Sequence, residues 1–138
     1  MLRIAICDDE TTFLTQIHSI ISAWHYTTSP LLIETFDNGD ALLKSHAKSP
    51  YDIILLDIIM PMFNGIEVAR EIRKHDISVK IVFLTSSPEY AVDSYTVKAT
   101  NYLLKPIDSQ KLHQCLEELC NDLVKDTQKI IHIRCTNA

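Results

Sequence analysis

Apolar positions along the chain fall into short, nearly continuous runs, separated by stretches in which they recur every three or four residues. Leu2–Cys7, Leu31–Phe36, Asp52–Leu56, Lys80–Leu84 and Thr100–Leu104 read as five strands. Three of these runs are almost wholly apolar, the pattern of sheet strands covered by helices on both faces. Between them, Phe13, Leu14, Ile17, Ile20, Ile21 and Trp24 recur at helical spacing. Leu112, Leu116, Leu119 and Leu123 step by four, three and four, with Glu117, Glu118 and Asp122 filling the polar face. The pattern is α/β: a (βα)₅ doubly wound parallel sheet with right-handed crossovers.

Local signals mark the helix starts. Asn64-Gly65-Ile66-Glu67 has the form of a capping box, with Asn64 as N-cap. Ser87-Pro88-Glu89 places a hydroxyl cap before a proline whose missing N–H costs nothing in a first turn. Asn38-Gly39 turns the chain into a short helix over Asp40–Ala47. Beyond about Lys125 the pattern changes. Ile130, Ile131 and Ile133 lie in a strand-like tail, Lys129–Arg134, read either as an accessory strand or as the opening of a second domain.

Length and composition narrow the function classes. The 138 residues suit one domain with a substantial core, and an apolar fraction of 46% is too high for disorder. No apolar stretch approaches the roughly 18 residues of a membrane span, and Met-Leu-Arg-Ile enters a strand with no signal-peptide pattern. No membrane partner and a cytoplasmic location are therefore expected. The net charge of −5, from 18 acidic and 13 basic residues, argues against nucleic-acid binding by this segment. Cys7, Cys115, Cys120 and Cys135 form no C-x-x-C pair and read as reduced, structural thiols.

The chemistry concentrates at strand ends. Asp57 follows Ile53-Ile54-Leu55-Leu56, Asp8-Asp9 follows the first strand, Thr85-Ser86 the fourth, and Lys105-Pro106 the fifth. In doubly wound sheets, ligands collect beyond the carboxyl ends of the strands. Alone, Asp57 could be a nucleophile, a metal ligand or a structural turn aspartate. Three converging carboxylates repel one another unless a cation neutralises them, and an all-oxygen set suits Mg²⁺, with Mn²⁺ second. An ammonium at Lys105 and a hydroxyl at Thr85 would face that centre as partners for a phosphoryl group. Asp57 would then attack phosphorus and become an acyl phosphate.

Other chemistries find less support. Gly39 and Gly65 are the only glycines, so neither a Walker loop nor a dinucleotide fingerprint is present. His18, His25, His46, His75, His113 and His132 fall mostly in helical or tail segments and read as surface or partly packed side chains.

Taken together, Cys7-Asp8-Asp9-Glu10, Asp57-Ile58-Ile59-Met60-Pro61 with Gly65, Leu84-Thr85-Ser86 and Tyr102-Leu103-Leu104-Lys105-Pro106 resemble the receiver domain of bacterial two-component response regulators. The resemblance covers residues 1 to about 124 and implies a flavodoxin-like fold with strand order 2-1-3-4-5. It implies that Asp57 accepts a phosphoryl group from a histidine kinase, and that Asp8, Asp9, Asp57 and the Ile59 carbonyl bind Mg²⁺. Lys105 would pair with the phosphate, across a cis bond to Pro106. Thr85 and Tyr102 would act as switch residues for the face formed by helix four, strand five and helix five, with homodimerisation following phosphorylation. Such a domain turns over no external substrate. Phe83–Val92 and Asn101–Ile107 look most like the subgroup with a LytTR-type DNA-binding output. Residues 125–138 would then be a linker and the start of that domain, which would contact DNA. A stand-alone receiver acting through protein contacts is the main alternative. A Mg²⁺-dependent phosphatase with an aspartyl nucleophile is disfavoured because Ile59 stands where such enzymes commonly place a second acid.

Overall fold

The computed structural model describes residues 1–24 and 30–136, with side chains described through Lys125. His25 and the side chains of His132, Cys135, Ile130, Ile131 and Ile133 lie outside the described residues. Five strands, β1 (Leu2–Cys7), β2 (Leu31–Phe36), β3 (Ile53–Leu56), β4 (Lys80–Thr85) and β5 (Asn101–Leu104), form one parallel sheet in the order 2-1-3-4-5. The three apolar runs, β1, β3 and β4, occupy its centre. Every residue of β3 is buried, whereas the edge strands β2 and β5 are only partly covered.

Alternate side chains of the central strands enter two cores. Ile4, Ile6, Ile53, Leu55, Val82 and Leu84 pack against α1 (Thr11–Ser22) and α5 (Ser109–Thr136). Ala5, Cys7, Ile54, Leu56, Ile81 and Phe83 face the other layer, packed with residues of α2 (Gly39–Lys48) and α3 (Gly65–His75) and with Tyr90 and Val97, which flank α4 (Ala91–Thr96). The period-two side-chain alternation of strands thus divides one run of apolar residues between two helical layers. A 3-10 turn over Pro88–Tyr90 precedes α4.

The capping signals operate as local chemistry requires. The Asn38 side chain accepts from the Ala41 N–H at 2.8 Å, and Asn64 from Glu67 at 3.0 Å. Ser87 accepts from Glu89 at 3.4 Å, ahead of the proline. Gly39 allows α2 to lie against α3, since a Cβ there would sit 2.5 Å from Val68 Cγ2.

One expectation is overturned. Lys129–Arg134 is helical, because α5 continues to Thr136 instead of giving way to a strand. Ile131 and Ile133 are two apart, as on one face of a strand, while Ile130 and Ile133 are three apart, as on one face of a helix, so three isoleucines do not decide the period. No glycine or proline follows Pro106 to stop the helix. Extending a formed helix satisfies each added backbone group internally, while a new strand needs a partner.

Candidate functional site

β1 and β3 are adjacent and parallel, so their carboxyl ends deliver Asp8 and Asp57 to the same edge. The Asp57 N–H still bonds the Cys7 carbonyl at 2.9 Å, continuing the ladder one residue past the strand. Oxygens of Asp8, Asp9 and Asp57 lie within 4.8 Å of one another. Asp8 and Asp57 are buried, whereas Asp9 is exposed.

Each buried carboxylate is held from two sides. Asp8 accepts from the Glu10 N–H at 2.9 Å through Oδ1 and from Lys105 Nζ at 2.7 Å through Oδ2. Asp57 accepts from the Ile58 N–H at 2.8 Å through Oδ1, and its Oδ2 lies 3.6 Å from Lys105 Nζ. Burial, and next the charge of Asp8, push the Asp57 carboxyl up to about 6, against the opposing pull of Lys105, the Ile58 N–H and the Thr85 hydroxyl. Burial alone would lower Lys105, but its bond to Asp8 and the charge of Asp57 reverse this and hold its ammonium above the ordinary value. One cation thus faces three carboxylates, leaving net negative charge in a poorly solvated place. That all-oxygen, electron-rich set fits a hard divalent cation.

The surroundings fix this geometry. Gly65 donates its N–H to the Ile58 carbonyl at 2.8 Å, and a Cβ on it would lie 2.1 Å from the Asp57 carbonyl oxygen. Only a residue without a side chain lets the start of α3 close on the backbone of Asp57. The fully buried Thr85 accepts from the Ser87 N–H at 3.3 Å through Oγ1, and its carbonyl accepts from the Lys105 N–H at 2.8 Å. The Lys105–Pro106 bond is cis. Tyr102 donates its hydroxyl to the Ser87 carbonyl, and its ring lies against Phe83, centroids 6.3 Å apart. Ile59 is half-exposed in the loop after Asp57, and Ser86 is exposed beside Thr85. Cys7, one residue from Asp8, is pushed up to about 12 by burial and then by Asp8, which makes its thiol unreactive.

A model of the response regulator receiver domain matches residues 4–117. The chain belongs to the response regulator receiver family. This receiver is 37% identical over 92 residues to an uncharacterized response regulatory protein of Vibrio cholerae, a match covering 67% of the chain and 35% of that protein. It is 35% identical over 102 residues to the sensory transduction protein LytT of Oceanobacillus iheyensis, covering 72% and 41% respectively. The chain therefore spans less than half the length of either relative. Among solved structures, the response regulatory domain of mrkE from Klebsiella pneumoniae superposes with a TM-score of 0.81 at 27% identity, covering 90% of this chain and 99% of that one. TrrA of Thermotoga maritima, crystallised with Mg²⁺ and BeF, gives a TM-score of 0.75 at 31% identity, covering 86% and 99%.

Asp8, Asp9, Asp57 and Lys105 come together as the sequence suggested, and Thr85 lies at the same edge. Two contacts escaped sequence reasoning, one at the receiver site and one at the opposite, amino-terminal edge of the sheet. The Phe13 ring lies beneath Lys105, with Nζ 3.9 Å from its centroid, although its helical spacing marked it only as core. His46 is buried at α2, where its Nε2 meets Asp76 Oδ2 at 3.0 Å and its Nδ1 accepts from the Tyr51 N–H at 3.1 Å. Nothing in the spacing of residues 46 and 76 announces that pair. Cys7, Cys115 and Cys120 are free thiols, and among the described residues no helix is long and apolar enough to cross a membrane.

Proposed function

We propose that this receiver accepts a phosphoryl group on Asp57 from a histidine kinase and relays the modification to an output. The observation that supports it most is a buried, strand-mounted carboxylate, raised to about 6, with an ammonium 3.6 Å away and two further carboxylates alongside. In this reading a carboxylate oxygen of Asp57 bonds to phosphorus as the P–N bond to the kinase's phosphohistidine breaks and its imidazole leaves, while the Asp57 backbone stays fixed by β3 and Gly65. Lys105 transfers part of its pairing from Asp8 to the phosphoryl oxygens. Thr85 supplies a hydroxyl to the same oxygens. Mg²⁺ would be held by Asp8, Asp9, Asp57 and the Ile59 carbonyl, and would screen the repulsion between carboxylate and phosphate. Mn²⁺ would serve in the same set.

The added charge would bias a two-state element. Thr85 carries it through the β4–α4 loop to Ser87, whose carbonyl Tyr102 engages, and so to the α4–β5–α5 face. Homodimerisation through that face, and transcriptional output by a LytTR-type DNA-binding domain joined through residues 125–138, complete the proposal. Relatives named LytT and LytR, and the greater length of the matched relatives, support this output. A receiver working through protein contacts alone is the second reading. Incubation with Mg²⁺ and acetyl phosphate should add one phosphoryl group to the wild type and none to Asp57→Ala; equal labelling of the two would overturn the assignment.

A further inference from the structure

Lys105 has three N–H donors, and their surroundings differ. Asp8 Oδ2 lies 2.7 Å from Nζ and Asp57 Oδ2 3.6 Å from it, and the Phe13 ring takes a third side at 3.9 Å from its centroid. Phe13 belongs to the first turn of α1 and is nearly buried, packed with Leu14, Ile107 and Leu112 in one core. The ring is therefore mounted on a different element from the lysine it touches.

The geometry points to Phe13 as a positioning residue that acts through Lys105, an inference resting on the phosphoacceptor reading of Asp57. The electron-rich face attracts the ammonium without presenting a charge or a strong acceptor. A carboxylate in that place would compete with the phosphoryl oxygens, and an aliphatic side chain would fill the space without attracting the cation. The ring also keeps water from one side of the ammonium, which strengthens its pull on the anions opposite. Lys105 is thus held over the gap between Asp8 and Asp57, and can turn from the first to a phosphoryl group on the second while its underside stays engaged. Seating the cation through α1 also joins that helix to the β5–α5 loop at the site.

The test varies electron density at constant shape. Phe13 is replaced by mono-, di- and trifluorinated phenylalanine, each of which keeps the buried volume while progressively weakening the ring face. Phe13→Leu and Phe13→Tyr complete the series. Labelling by acetyl phosphate at saturating Mg²⁺ is followed with the Lys105 CεH₂ resonances, which the ring face should shift upfield. The rate should fall stepwise with fluorination and by roughly twofold to thirtyfold in Phe13→Leu. Phe13→Tyr should restore it, with unchanged Mg²⁺ affinity throughout. A rate independent of fluorination overturns the positioning role, even if Phe13→Leu fails to fold. If the wild type takes no label, the phosphoacceptor reading fails by itself. The resonances then decide the remainder: an upfield position lost in Phe13→Leu upholds the seating of Lys105, and an unchanged one overturns it.

Discussion

Replacing Asp57 by Asn should stabilise this protein at neutral pH, because the carboxylate at the heart of the site is held in its charged form at a cost. The carboxyl titrates at about 6 in place of its ordinary 3.8. At about 1.4 kcal/mol per pKa unit, that displacement corresponds to about 3 kcal/mol withheld from stability when Asp57 is ionised. The direction follows from proton counting. Between pH 3.8 and about 6 the folded chain binds more protons at this position than the unfolded chain, so wild-type stability falls as pH rises through that window. Below it the penalty is absent, and above it the penalty is complete. Asn is neutral throughout and retains an oxygen to accept the Ile58 N–H that now bonds Oδ1 at 2.8 Å. Asp57→Asn should therefore exceed wild type by about 2–3 kcal/mol at pH 8, or roughly 6–12 °C in Tm, with the gap closing toward pH 4. Urea titrations in EDTA across that pH range measure it, and carboxylates remote from residue 57 cancel in the difference. Adding Mg²⁺ at pH 8 should narrow the gap, since a cation that binds only the folded carboxylate cluster stabilises the wild type more. A gap independent of pH, or an Asn variant less stable at pH 8, would refute the reasoning.

Other substitutions test separate parts of the structure. Gly65→Ala places a Cβ 2.1 Å from the Asp57 carbonyl oxygen, where backbone must move; we expect a loss of about 3 kcal/mol in urea unfolding and slowed labelling of Asp57. Ile59 offers no side-chain hydrogen bond to a water approaching the phosphate, so self-dephosphorylation should be slow and Ile59→Asn should quicken it. A wild-type acyl phosphate that decays within seconds, and at the same rate in that variant, contradicts this. Asp76 accepts from the Ser78 N–H at 2.9 Å, the Ser78 hydroxyl at 3.0 Å and the Val79 N–H at 3.0 Å, besides meeting His46. Asp76→Ala should cost about 2–4 kcal/mol at pH 7. Burial alone would raise Asp76, yet the Ser78 and Val79 donors and His46 hold it below the ordinary value. Its contribution is thus complete above the unfolded carboxylate pKa and lost as pH falls through the lower folded value, and the difference from wild type should shrink in acid.

The parts of the fold that were legible are those where one physical demand governs many neighbours. β1, β3 and β4 bury both faces over most of their length, so their sequences are nearly continuous apolar runs, interrupted by charge only at Arg3 and Lys80 near their entrances, and a charge such as Asp57 stands out at their ends. Asn38, Asn64 and Ser87 were readable because a cap acts within three residues of itself. The end of α5 was not legible, since Ile130, Ile131 and Ile133 satisfy two periods at once. Contacts between distant residues left no local trace. Arg73 donates to the carbonyls of Val97, Asp76, Val79 and Lys98 and so ties α3 to the chain after α4, though it reads as an ordinary charge on a polar face. Phe13 was indistinguishable from its core neighbours until β5 brought Lys105 above it.

Locating the phosphoryl group chemically is the most direct test of the phosphoacceptor reading. After treatment with Mg²⁺ and acetyl phosphate, borohydride reduction converts an aspartyl phosphate to homoserine, and peptide mass spectrometry reads its position. Homoserine at residue 57 alone is the predicted result. Conversion at Asp8 or Asp9, or a stable phosphate on Thr85, Ser86 or Ser87 with Asp57 intact, would contradict it.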